Sequence, residues 1–156
     1  MRRMRKLATL SRVELAELLS AQWALIQAQW LRWRRPTGQF VSAVAERVED
    51  GGSSPPRQLG EQEEARAARI ALMVERAAEN GIFRPACLVR SIALTRMLDA
   101  RGMHGSQLRV GVRWEGERFA AHAWVEYGGR VLGDREEHVR GYTPLSDVEL
   151  LPRRWA

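Results

Sequence analysis

The spacing of apolar residues changes once along this chain, just before Leu108, and that change restricts the fold more than any other feature. Ahead of it, apolar side chains recur every three or four residues, which makes one face of a helix. Beyond it they alternate, which makes one face of a strand. Helices first and an antiparallel meander after them give the α+β class, with a Cys-bearing helix packed on a small sheet.

Three helices are expected. Ser11 and Glu14 have capping-box spacing, in which hydroxyl and carboxylate satisfy free amides reciprocally. Leu15, Leu18, Leu19, Trp23, Ile26, Trp30 and Trp33 then form an apolar face that Pro36 and Gly38 terminate. The stretch DGGSSPPRQLG has no period and reads as a loop. It divides a helical arm, residues 1–50, from a core, residues 61–156, with the loop at 51–60. A second helix runs from Glu61 to Asn80, with Ile70, Val74 and Ala77 inward and Asn80-Gly81 as its C-cap. A third opens near Pro85, carries Leu88, Ile92, Leu94, Thr95 and Leu98 inward, and closes at Gly102. In the sheet, Leu108, Val110, Val112 and Trp114 share a face. Across the Gly116 turn, Phe119, Ala121, Ala123, Val125 and Tyr127 face one way and Ala120, His122, Trp124 and Glu126 the other. After Gly128-Gly129 comes a short third strand, RVLGD.

The 156 residues suffice for one core. The net charge of +6 rests on arginine, since Lys6 is the one lysine, and it suits acidic partners. No nucleic-acid motif accompanies it, and the strands lack a base-stacking aromatic pair, so nucleic acid is not the expected partner. A single cysteine excludes an internal disulfide and any multi-cysteine metal site, and fits a reducing compartment. Arg12, Glu14 and Glu17 interrupt the N-terminal apolar stretch, and no run approaches the roughly 18 apolar residues of a membrane span. A cytoplasmic location follows as the expectation. Three tryptophans on one helix leave two readings open: they pack on the domain, or Trp23, Trp30 and Trp33 meet a partner protein or a membrane surface.

Cys87 falls in the first turn of the third helix, where free amides and the macrodipole favour a thiolate. A lone cysteine is also often a small buried hydrophobe. His122, in mid-strand, could take a thiol proton, and Asp134, one hairpin on, could hold its second ring nitrogen. Glu126 competes for that place, but two residues along one strand puts it roughly 6.5–7 Å away with a parallel side chain. Arg90 and Ser91, one turn into the helix, and Trp124, on the His122 face, are candidates for lining a substrate groove. His104 and His138 lie in loop-like surroundings without ligand partners at metal spacing and read as surface residues. Neither metal nor cofactor is expected.

The run CLVRSIALTRML, a VGV strand and FAAHAWVEYGGRVLGD together resemble the transglutaminase-like proteins of lasso-peptide biosynthesis, from about Pro85 to Pro144. The resemblance implies a papain-like cysteine protease core with Cys87 as nucleophile, His122 as base and Asp134 as orienter. It implies a leader peptidase acting on a precursor peptide at the leader–core junction. Its partners would be a separate leader-recognition protein and, downstream, a macrolactam cyclase. With no second compact domain before the Cys helix, the chain is expected to rely on that partner for leader recognition. An acyl or amide transferase on the same three residues, and a non-catalytic basic docking protein, stand as alternatives.

Overall fold

The computed structural model describes residues 11–34 and 58–145. The expected helix stop at Pro36 and Gly38, most of the loop at 51–60 and the stretch after Leu145 lie outside the described residues.

Helix α1 spans Arg12–Arg34 and opens on the expected capping box. The Glu14 amide donates to Ser11 Oγ at 3.2 Å, and the Ser11 amide donates to Glu14 Oε2 at 2.9 Å. That amide, then the Ser11 hydroxyl, holds the Glu14 carboxyl below the usual carboxylate value. Helix α2, Glu61–Asn80, gathers Glu61, Glu63 and Glu64 in its first turn, where the macrodipole favours anions. Its inward face is the predicted one: Ile70, Val74 and Ala77 are buried, with Ala67, Ala71 and Met73 filling between them. Gly81 is its C-cap but is extended, at φ −76°; a Cβ there would stand 2.0 Å from Gln22 Oε1 of α1. Close helix approach, rather than a left-handed backbone, explains this glycine.

Helix α3, Cys87–Asp99, starts two residues past Pro85, with Ala86 as N-cap. It is the hub, packing against α1, α2, β1 and β2. The largest fully buried side chains are Leu25 of α1, Val89 and Leu98 of α3, and Val125 of the sheet. The sheet comprises β1 (Gln107–Glu115), β2 (Arg118–Tyr127), β3 (Arg130–Leu132) and β4 (Thr143–Pro144), in the order β3-β2-β1-β4. Every pairing is antiparallel, with Gly111 opposite His122 and Leu132 opposite Val125. A short helix α4, Glu136–Val139, joins β3 to β4, neither of the last two elements being evident in the sequence pattern. The α+β architecture is as the change of period predicts.

Two apolar faces are only partly buried. On α1 the inward stripe is Ala21, Ala24, Leu25 and Ala28, all within 8% of full burial, while Trp23, Trp30 and Trp33 are 61%, 50% and 73% exposed. Leu15 and Leu19 are exposed with them, and Leu18 alone of the predicted leucines packs partly on the core. Small side chains let α1 lie close on α2 and α3, so the large ones are left outside. On β2, the face shared by Phe119, Ala121, Ala123, Val125 and Tyr127 is buried only in the C-terminal half of the strand, which lies over the helices. Val125 and Tyr127 enter the core, and Tyr127 hydroxyl donates to the Glu63 carboxylate. Phe119 and Trp114 instead meet edge-on at 5.4 Å, exposed at the hairpin tip.

Candidate active site

One narrow cavity forms where the start of α3 meets β2, the end of β3 and the flank of α2. Cys87, Arg90 and Ser91 line it from α3, His122 and Trp124 from β2, and Asp134 from the loop after β3. Cys87 reaches this place because it is the first residue of α3, half-buried beneath a helix terminus whose leading amides have no intrahelical acceptor. His122 reaches it as a mid-strand residue whose register partner, Gly111, has no side chain to crowd the face. A Cβ at Gly111 would stand 2.8 Å from the Trp124 ring and 2.9 Å from Tyr142 Cβ. Gly133, at φ 73°, turns the chain out of β3 and delivers Asp134 toward His122.

His122 Nε2 donates to Asp134 Oδ2 in a short hydrogen bond. That fixes the proton on Nε2 and leaves Nδ1 as the ring's acceptor. The two side chains are 12% and 16% exposed, so the pair is shielded but not sealed. Burial pushes the Asp134 carboxyl up, but His122, the Arg135 amide at 2.7 Å and His138 donate to it and hold it below the usual carboxylate value. Asp134 is therefore the anionic partner of the imidazole.

Glu126, the competing orienter, is engaged elsewhere. Its Oε1 accepts from the Trp124 indole N–H at 3.0 Å and its Oε2 from Arg109 Nε at 3.1 Å. Those bonds hold Trp124, which is 3% exposed and stacks at 18° to the His122 ring. Ser91 is 5% exposed and Arg90 half-buried. Trp23, Trp30 and Trp33 do not line the cavity.

Two residues at this site escape the sequence reading. Glu75 of α2 also lines the cavity. Burial first, then Glu79 and Asp134, push its carboxyl up, against the pull of Arg90. One glutamate in a helix rich in them carries no distinguishing pattern. His138, expected on the surface without partners, is half-exposed, but its Nδ1 donates to Asp134 Oδ1 at 3.0 Å and its ring lies 4.8 Å from that of His122. Its place four residues after Asp134 was the available signal.

Among known proteins, the family model described as the transglutaminase-like superfamily matches residues 18–147. The chain is also similar to the microcin J25-processing protein McjB of Escherichia coli, 43% identical over 53 residues. That match takes in 34% of this chain and 24% of the relative, so the chain spans about a quarter of the relative's length. No solved structure matches.

Proposed function

The chain belongs to the transglutaminase-like superfamily, and from that premise we propose that it is a cysteine peptidase removing the leader from a lasso-peptide precursor. The observation carrying the proposal is that Cys87, at a helix N-terminus, shares one cavity with an imidazole whose far nitrogen is held by a carboxylate. The similarity to a microcin-processing protein supports the substrate class.

This reading implies the following chemistry. His122 Nδ1 takes the Cys87 thiol proton, and the sulfur attacks the carbonyl carbon at the leader–core junction. The oxyanion that forms is stabilised by the free Cys87 amide. The C–N bond breaks as the imidazolium returns its proton to the departing core amine, leaving a thioester on Cys87. His122 then draws a proton from water, hydroxide adds to the thioester, and the leader leaves as an acid while the thiol is restored. Asp134 stabilises the imidazolium in both halves and prevents the ring from turning. Trp124 and Arg90 wall the groove for the peptide on either side of the cut, with Ser91 beneath.

Leader recognition is assigned to a separate protein that docks on the exposed Trp23, Trp30 and Trp33 face of α1, a patch of aromatic surface of the kind interfaces use. The cyclase acts afterwards on the freed amine. No described helix is long and apolar enough to cross a membrane.

Mass spectrometry of a precursor peptide incubated with the protein, with and without a leader-recognition partner, tests this. A cut that gains one water and vanishes in Cys87→Ala is the expected result. A product carrying an amine acceptor in place of water would make the protein a transferase on the same residues. Equal products from Cys87→Ala would overturn the assignment of the nucleophile.

A further inference from the structure

Asp134 is shared between two imidazoles. One of its oxygens accepts from His122 Nε2, and the other from His138 Nδ1 at 3.0 Å. These three ligand-type groups offer atoms that all lie within 4.8 Å of one another. Tyr142 adjoins both rings, tilted 5.1 Å from His122 and edge-on 5.6 Å from His138, and Arg113 stands 4.4 Å above Tyr142. The peptidase chemistry needs one Asp134 oxygen and one imidazole, so it leaves His138 without a task.

From this convergence of His122, Asp134 and His138 we propose a binding site for a zinc-class divalent cation whose occupancy switches the thiol chemistry off. Two imidazoles and a carboxylate, with room left for water, are a ligand set that zinc accepts. Magnesium and calcium favour all-oxygen surroundings and fit poorly. The His138 side chain is 43% exposed, so solvent gives an ion a way in, and the ligand atoms would close to about 2.0–2.2 Å from the metal on binding.

The switch is a matter of tautomer. An ion on His122 Nε2 takes the lone pair there, and for a neutral ring the Nε2 proton moves to Nδ1 with no net release. Nδ1 is then a donor and can no longer accept the Cys87 proton, so the thiol stays protonated. If the ring begins as imidazolium, binding sends one proton to solvent. Cation binding stands without the peptidase reading; the inhibitory half rests on it.

The experiment loads the full chain with cobalt(II), read by visible absorption, and with zinc, read by calorimetry. One ion per chain is expected, retained in Cys87→Ala and weakened about 100-fold or more in His138→Ala, as loss of a direct ligand should do. The exposed His104 gives the control, His104→Ala, which should bind like the parent. Binding lost in Cys87→Ala would mean a thiolate-centred ion, and binding kept in His138→Ala would mean a site elsewhere; either overturns the proposal, as does equal binding of magnesium. In the cleavage assay, zinc should inhibit in step with occupancy and a chelator should restore the rate. Full occupancy with undiminished cleavage overturns the switch. Occupancy in a protein that never cleaves supports the cation site and overturns the peptidase reading instead.

Discussion

The Cys87 cavity and the outer face of α1 break the rule of burial in opposite directions. At the cavity, polar groups are drawn in: Ser91 is 5% exposed, and His122 and Asp134 side chains 12% and 16%. On α1 large apolar groups are left out, with Trp33 73% and Leu19 62% exposed. Buried polar groups cost free energy unless each is matched by a partner, and His122 and Asp134 are matched to each other. Exposed aromatics cost little in isolation but stay available for a second surface. Under the proposed function, the first departure serves chemistry within the chain and the second contact beyond it.

The contrast can be broken most severely at Asp134. Asp134→Asn keeps the shape but cannot stabilise an imidazolium, so the cleavage rate should fall by about 10²–10⁴-fold with substrate affinity little changed. Steady-state kinetics on a precursor would check this, and a matching loss in Glu126→Gln with Asp134→Asn active would reverse the two carboxylates.

Within α1 the two faces should separate cleanly. Leu25→Ala, at a side chain with 0% exposure, should cost about 2–5 kcal/mol in denaturant unfolding. Trp30→Ala, on the outer face, should stay within about 0.5 kcal/mol. The same Trp30→Ala should nevertheless raise the partner concentration needed for half-maximal cleavage about tenfold, in line with an aromatic interface residue worth more than 1 kcal/mol. An unchanged partner requirement would remove α1 from the interface.

The smallest expected effect lies at Glu75, and its sign follows from its raised carboxyl. The folded state holds that proton more tightly than the unfolded chain does. Glu75 therefore weighs against folding increasingly as pH rises from 4.5, the ordinary value, through its higher folded value. Glu75→Gln should melt slightly higher than the parent at neutral pH, by about 1 °C, and the gain should vanish in acid. A gain that persists below the ordinary carboxylate range would point to packing rather than charge.

Much of the fold was legible because its cues are local. The Ser11–Glu14 box, the inward face of α2, the β1–β2 hairpin and the start of α3 all depend on neighbours within a turn or a strand pair. The inward face of α1 was not legible, because both its stripes are apolar. Periodicity identifies an apolar face, but close helix packing chose the alanines over the tryptophans. How much of each β2 face is buried was not legible for a related reason: alternation says which way a side chain points and not how far the covering helices reach. At the site, Cys87, His122 and Asp134 were identifiable by residue type and order. Glu75 comes from a helix whose sequence pattern says nothing of the cavity beside it, and His138 was marked only by its spacing from Asp134.

The sequence by itself determined where the three long helices and the first three strands lie and which residues carry reactive groups, since propensity, capping and alternation act over a few residues. Only the tertiary structure decided which face of α1 turns inward, that Glu126 belongs to Arg109 and Trp124, and that His138 shares Asp134 with His122. Those outcomes depend on the distances between elements, set by side-chain volume and by glycines such as Gly111 where two surfaces meet.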